Sequence, residues 1–282
     1  MKKGLVLEGG AMRGMFSAGV MDVLMENGIE FDSVVGVSAG AVFGCNYKSK
    51  QIGRTIRYNM KYIRNPEYCS FRSLIKTGNM FGVDFCYRKI PFELDVFDNE
   101  TFINNPTKFY VVATDINTGK PLYKRIDSAD EKGLEYMRAS ASMPLASTPI
   151  NVDGKELLDG GIADSVPLEF FINKGYDKNL VILTQPEGYV KKKNSLLPLM
   201  KISLKKYPKL IEAMANRHIV YNKQVKYTQE AEKSGSAFII RPAEKLPIGR
   251  IEKNPETLKK VYDIGREEAL KNLDKIKEYL NA

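Results

Sequence analysis

Short unbroken apolar runs alternate with stretches of helical period along the first 50 residues. Residues 4–7 (Gly-Leu-Val-Leu) form an apolar run that ends at Gly9-Gly10 and predicts a buried strand. Over residues 13–26, Phe16, Val20, Val23 and Leu24 recur at helical spacing. A second apolar run, 33–37, precedes Ser38-Ala39-Gly40 and a small-residue helix over 41–47. Strand, helix, strand and helix with short connections predict a parallel pair joined by a right-handed crossover. Ile52, Ile56, Met60 and Ile63 give 51–64 an amphipathic helical pattern. Residues 65–106 show no clear period, and short helices and loops forming a cap are expected there.

Strands at 109–114 and 122–125 flank an Asn117-Thr118-Gly119-Lys120 turn, and a helix over 131–141 stops before Pro144. Asp153-Gly154 joins two short strands as a hairpin, the second running into Asp159-Gly160-Gly161. After a strand at 180–184 the pattern turns helical, over 199–207, 209–233 and 255–280, with one short strand at 237–240. Leu258, Val261, Ile264, Leu273, Ile276 and Leu280 keep an apolar side in the last helix, so it packs on a core. There is no internal repeat. The expected architecture is a three-layer α/β/α domain with a mainly parallel central sheet over 1–190. A helical, basic C-terminal region, 191–282, is expected to pack on the same domain.

The 282 residues are 43% apolar, enough for a sizeable core. No apolar run approaches the ~18 residues of a membrane-spanning helix. Glu8 and Arg13 interrupt the N-terminal apolar stretch too early for an export signal. Cys45, Cys69 and Cys86 form no C-x-x-C pair and suit free thiols, so a cytoplasmic protein is expected. With His218 as the single histidine, the common zinc sites are excluded, and no EF-hand spacing appears; no metal is expected. The net charge of +9 is uneven: 1–189 carry 22 basic and 23 acidic side chains, 190–282 carry 21 and 11. That excess fits either an anionic partner or a solvated, lysine-rich helical surface.

Two glycine-rich turns follow the first two strands. Gly36-Val37-Ser38-Ala39-Gly40 is a G-x-S-x-G sequence between a predicted strand and a predicted helix. A serine on so sharp a turn is pushed out at the sheet edge, near the positive end of the next helix. The competing reading is a glycine turn whose serine only caps that helix. The loop Gly9-Gly10-Ala11-Met12-Arg13-Gly14 lacks the spacing of a dinucleotide fingerprint or a Walker loop. Beside a nucleophilic serine its backbone amides would make an oxyanion site. Asp159-Gly160-Gly161 is alone no more than a turn, yet a serine nucleophile needs a base.

In their order and spacing these segments resemble the patatin-like phospholipases, whose pattern is a G-G-G-x-R/K-G loop, then G-x-S-x-G, then D-G-G or D-G-A. Arg138-Ala139-Ser140-Ala141-Ser142-Met143-Pro144 is similar to the segment preceding that family's aspartate. The resemblance covers roughly residues 4–186, and is nearest to bacterial cytoplasmic members. Ala11 stands for the third glycine of the loop, and Ser165 stands where many members have asparagine. The resemblance implies a Ser38–Asp159 dyad, an acyl-enzyme intermediate, an oxyanion held by amides of Gly10, Ala11 and neighbours, and Arg13 ordering the loop. It implies no cofactor, and a lipid ester as substrate; phospholipid, lysophospholipid, neutral glyceride and thioester all fit.

The rival enzyme is an α/β-hydrolase with a Ser38, Asp159, His218 triad. Its elbow would follow too few strands, and His218 lies in a polar helical run. A membrane-surface protein with little activity would rest on Lys191, Lys192, Lys193, Lys201, Lys205, Lys206 and Lys209 beside Leu199, Met200 and Leu204. Peripheral contact with an anionic membrane suits that stretch. Nucleic acid is not expected, because no nucleic-acid motif accompanies the charge. Phe71, Leu74, Ile75, Met80 and Phe81 are candidates to line or cover an acyl site; an ordinary core is the competing reading.

Overall fold

The computed structural model describes all residues, 1–282. The chain runs through β1 (Lys3–Leu7), α1 (Gly14–Glu26), β2 (Ser33–Val37), α2 (Ala39–Lys48), α3 (Arg54–Tyr62), α4 (Phe71–Thr77) and α5 (Asn99–Asn104). It continues through β3 (Lys108–Asp115), β4 (Pro121–Ile126), α6 (Glu131–Ser140), β5 (Ile150–Val152), β6 (Lys155–Asp159), α7 (Leu168–Asn173) and β7 (Lys178–Ile182). The last elements are α8 (Leu197–Ser203), α9 (Pro208–Lys233), β8 (Ala237–Ile240), α10 (Pro255–Lys271) and α11 (Leu273–Asn281). A π-helical stretch, Phe85–Leu94, lies between α4 and α5.

The strands form one eight-stranded sheet in the order β5-β6-β3-β2-β1-β7-β8, with β4 on β3. Strands β3, β2, β1, β7 and β8 are parallel; β4, β5 and β6 bring antiparallel pairing to one side. Helices cover both faces, which explains the unbroken apolar runs of β1 and β2. Leu5, Leu7 and Val34 meet Phe16, Val20, Leu24 and Val261 on one face. Val6, Val35, Val37 and Val181 meet Leu168, Phe171 and Tyr221 on the other.

The C-terminal residues share this core. Strand β8 adds a parallel strand to β7, and α10 lies against α1 so closely that a Cβ on Gly19 or Gly265 would press into the other helix's backbone. Tyr262 there donates to Asp22 Oδ2 at 2.7 Å. Three expected boundaries shift. The helix expected over 51–64 starts only after Gly53, whose φ of +72° lies outside helical backbone. The helix expected over 199–207 is shorter, Leu197–Ser203. The helix expected over 255–280 is broken at Asn272, whose side-chain amide donates to the Glu268 carbonyl at 2.8 Å and competes with the backbone.

One feature of register positions the site. Strand β2 pairs with β3 as far as Val37 opposite Val112. Strand β4 occupies the other edge of β3 over 109–114, so β6 must take up the edge that β2 vacates, with Asp159 opposite Ala113. The two strands therefore meet nearly end to end, and the residue after β2 faces the last residue of β6.

Candidate active site

Ser38, the residue after β2, has φ 55° and ψ −120°, a conformation that costs a non-glycine residue of order 1–3 kcal/mol. Its surroundings hold it there. A Cβ on Gly36 would collide with the Gly40 carbonyl, and one on Gly40 would come within 2.6 Å of the Leu7 oxygen. The Ser38 N–H donates to Ser140 Oγ at 2.9 Å, and the Ser140 hydroxyl donates to the Val112 carbonyl at 2.6 Å. Only glycine and a small hydroxyl fit this crossing of strand, turn and helix.

The structure brings Ser38 and Asp159 together. Ser38 Oγ donates to Asp159 Oδ2 at 2.7 Å, and Asp159 Oδ1 accepts the Gly161 N–H at 2.7 Å. The Asp159 N–H donates to the Ser142 carbonyl at 2.8 Å, so the 138–144 segment braces both residues. Both side chains are buried. Burial raises the Asp159 pKa above its ordinary value; the Arg217 charge, the Ser38 hydroxyl, the Gly161 amide and the Arg250 charge oppose that rise. A hydroxyl bonded to a desolvated carboxylate is competent to lose its proton during attack on a carbonyl.

The Gly9–Gly14 loop lies against this pair: a Cβ on Gly9 would sit 2.9 Å from Ser38 Cβ. The amides of Gly10, Ala11 and Met12 make no hydrogen bond, whereas Arg13 N–H donates to the Gly10 carbonyl at 3.1 Å. Ala11 has φ 50°, a left-handed conformation that the glycine it replaces would adopt without strain. The Arg13 side chain, expected to order the loop, has its Nε buried without a hydrogen-bond partner. Gly160 and Gly161 open a 3-10 turn, and Ser165 Oγ donates to the Gly161 carbonyl at 2.8 Å. His218 lies within α9 and bonds neither Ser38 nor Asp159; its Nδ1 is buried without a partner.

Four contributors were not expected from the sequence. Glu8 is buried; it accepts the Thr184 N–H at 2.5 Å and the Tyr221 hydroxyl at 2.8 Å. On α9, Arg217 donates Nε–H to the Gly161 carbonyl, and Gln224 donates to Asp164 Oδ1 at 2.9 Å while accepting the Ser165 N–H at 3.1 Å. Arg217, Tyr221 and Gln224 recur at i, i+4 and i+7, the spacing of one helix face. That spacing was the only sequence signal available, and it reads equally as solvated surface.

A cavity of about 130 Å³ opens at Ser38 and is lined mainly by apolar side chains, among them Val42, Phe43, Phe81, Ile90, Phe97 and Met137. Of the five apolar residues expected to line or cover an acyl site, Phe81 lines this cavity and the other four do not. Met80 is buried beside it, Leu74 is half-buried, and Phe71 and Ile75 are 66% and 85% exposed. The reason is that α4 lies on the surface with no buried residue, while the π-helical stretch supplies the wall. No group of three or more His, Cys, Asp or Glu side chains could hold a metal ion, and no helix is long and apolar enough to cross a membrane.

Residues 5–172 match the sequence model of the family described as patatin-like phospholipase. The chain belongs to that family. Residues 207–281 match a second model, described as a domain of unknown function, DUF6363. Among similar proteins, the uncharacterized protein YjjU of Escherichia coli (strain K12) is 29% identical over 192 residues, covering 64% of this chain and 52% of YjjU. Lysophospholipase nte1 of Aspergillus fumigatus is 28% identical over 185 residues, covering 62% of this chain and 11% of that protein. The chain thus spans about half of one relative and about a tenth of the other. The crystal structure of VipD from Legionella pneumophila superposes with a TM-score of 0.46 and 14% identity, over 97% of this chain and 67% of that one.

The raised pKa of Asp159 carries a stability consequence. A carboxyl that holds its proton more tightly in the folded state loses stability on ionising, so the cost is present at neutral pH and fades as pH falls through the raised pKa. Asp159→Asn is therefore expected to raise Tm at pH 7, by an amount that shrinks as pH falls toward the ordinary carboxylate pKa of about 4. Melting curves of parent and variant from pH 7 to 4.5 check this. A lower Tm at pH 7, or a gain that does not change with pH, contradicts it.

Proposed function

We propose that the protein is a serine lipid acyl hydrolase working through a Ser38–Asp159 dyad and an acyl-enzyme intermediate. The single observation that carries this reading is the 2.7 Å hydrogen bond from Ser38 Oγ to Asp159 at the mouth of an apolar cavity. Family membership and the likeness to a lysophospholipase support the lipid substrate class. Ser38 Oγ attacks the ester carbonyl as its proton passes to Asp159 Oδ2. The amides of Gly10, Ala11 and Met12, free of other partners, hold the developing oxyanion. The C–O bond to the alcohol breaks, and the alcohol leaves with the proton from Asp159. Water then gives a proton to Asp159 and attacks acyl-Ser38; the fatty acid departs and Ser38 regains its proton. The scheme asks for no cofactor.

Ser38→Ala and Asp159→Asn are each expected to lower kcat on a long-chain p-nitrophenyl ester by at least a thousandfold, since the two act as a unit. His218→Gln should stay within a few-fold of the parent, and decanoyl esters should be cleaved better than acetate. A folded His218→Gln protein as inactive as Ser38→Ala would revive the triad. Preference for acetate would reject the lipid reading.

The substrate, in this reading, is met at an anionic membrane surface. Val190, Leu196, Leu199 and Ile202 are exposed among exposed Lys192, Lys193, Lys201 and Lys205. Lys191, expected in that patch, instead turns inward, its Nζ 4.0 Å from the centre of the Tyr221 ring. Such a surface attracts anionic lipid at about 1 kcal/mol per lysine and is screened by salt. Sedimentation with vesicles should show binding that grows with anionic lipid content and falls with ionic strength; binding that ignores both overturns this part.

A further inference from the structure

Amides that receive an oxyanion work only if they are held in place before the charge develops. The Gly9–Gly14 loop does not hold itself. Its internal bonds close the 3-10 turn Ala11–Arg13, and Ala11 stands at φ 50°, a conformation its own side chain opposes. The hold comes from the residue that enters the loop. Glu8 follows β1, is 2% exposed, and its N–H donates to the Ile182 carbonyl at 3.1 Å. Glu8 Oε2 accepts the Thr184 N–H at 2.5 Å and the Thr184 hydroxyl at 3.1 Å, while Oε1 accepts the Tyr221 hydroxyl at 2.8 Å. Thr184 is in turn the seat of the loop, for a Cβ on Gly10 would stand 2.7 Å from its Oγ1. Glu8 therefore clamps the start of the loop against the chain leaving β7.

Tyr221 adds a second hold from the C-terminal third of the chain. It lies on α9, 213 positions from Glu8, and is 2% exposed. Burial and the Glu8 charge push its pKa up, so the phenol keeps the proton that it donates. The ring is itself wedged: Lys191 Nζ lies over it at 4.0 Å, and Tyr189 meets it edge-on at 6.1 Å. Lys191 is fixed by the next residue of α9, its N–H donating to Asn222 Oδ1 at 2.8 Å and its carbonyl accepting from Asn222 Nδ2 at 3.1 Å. One helical turn earlier, Arg217 donates to the Gly161 carbonyl in the turn after Asp159. One rigid helix thus grips both the oxyanion loop and the turn that carries the base.

We propose that Glu8 and Tyr221 are positioning residues for the oxyanion site: their hydrogen bond holds the Gly10, Ala11 and Met12 amides where the tetrahedral intermediate on Ser38 needs them. The C-terminal region thereby takes part in turnover, which a helix that only packed on the sheet would not. This rests on the hydrolase reading and deepens it. Neither residue lines the apolar cavity. Losing their bond therefore acts on the transition state, where charge develops, and leaves binding of the acyl chain in the ground state alone.

The test measures kcat and KM on p-nitrophenyl decanoate beside the inhibition constant of a nonyl trifluoromethyl ketone. Ser38 Oγ adds to the ketone carbon as its proton passes to Asp159, leaving a charged tetrahedral adduct. In Tyr221→Phe, kcat is expected to fall at least tenfold with KM within twofold of the parent, and the ketone to bind more weakly by the same factor as kcat. Glu8→Ala should lose at least as much, and Glu8→Ala/Tyr221→Phe no more than Glu8→Ala alone, because the two share one bond. Glu8→Gln should recover most of the Glu8→Ala loss, since its amide oxygen accepts from Thr184 and its NH2 donates to the Tyr221 hydroxyl. Should Glu8→Ala fail to fold, Tyr221→Phe, which removes one oxygen, decides alone. A folded Tyr221→Phe protein with parent-like kcat, a loss that falls in KM, or a kcat loss that ketone affinity does not follow overturns the assignment and leaves the hydrolase reading in place. A parent that neither cleaves the ester nor binds the ketone overturns both.

Discussion

The vacated edge of β3 is the constraint from which the site follows. Parallel β2 stops at Val37, and antiparallel β6 takes over the same edge at Asp159. Two chains arriving from opposite directions cannot both continue, so each turns away, leaving residues 38 and 159 face to face in the gap. Ser38 turns through a conformation that a side chain adopts only under constraint, and Gly160 leads Asp159 into a 3-10 turn. The 2.7 Å hydrogen bond between them is a consequence of sheet register, which explains how residues 121 positions apart are held to hydrogen-bond geometry. Ser140 and Ser142 tie both ends to the 138–144 segment, so neither residue relies on a free loop.

Burial and charge then set opposing demands on the same carboxylate. Removing Asp159 from water raises its pKa and strengthens it as a base, at a cost in stability. The Arg217 charge, the Ser38 hydroxyl and the Gly161 amide oppose that rise. Helix α9 is the element that delivers this control. Through Arg217, Tyr221 and Gln224 it reaches the turn after β6, the loop after β1 and the Ser165 backbone. The C-terminal third is accordingly built into the site as well as into the sheet and the α1–α10 contact.

The sequence revealed most where local chemistry is restrictive. G-x-S-x-G requires glycines because a Cβ at 36 or 40 strikes backbone, and the Asp153-Gly154 turn has φ of 50° and 71° as a tight hairpin demands. Continuous burial on both faces of β1 made that strand readable as a short apolar run. Residues 65–106 were opaque because their apolar residues serve a cavity wall, wound partly as a π-helix, and follow neither regular period. Lys191 was misplaced because a run of three lysines carries no sign of which one turns inward onto an aromatic ring. Arg217 and Tyr221 looked like an ordinary polar helix face, since what they meet lies 56 and 213 positions away in the chain.

Direct activation of Ser38 by Asp159 is open to one decisive measurement, the rate at which a fluorophosphonate modifies the protein, with the adduct located by mass spectrometry. A serine hydroxyl reacts with this reagent only where a base accepts its proton and an oxyanion site receives the phosphonyl oxygen. The expected result is a single adduct at Ser38 in the parent and in His218→Gln, with labelling slowed at least a hundredfold in folded Asp159→Asn. An adduct at another serine, or undiminished labelling of Ser38 in Asp159→Asn, would contradict it.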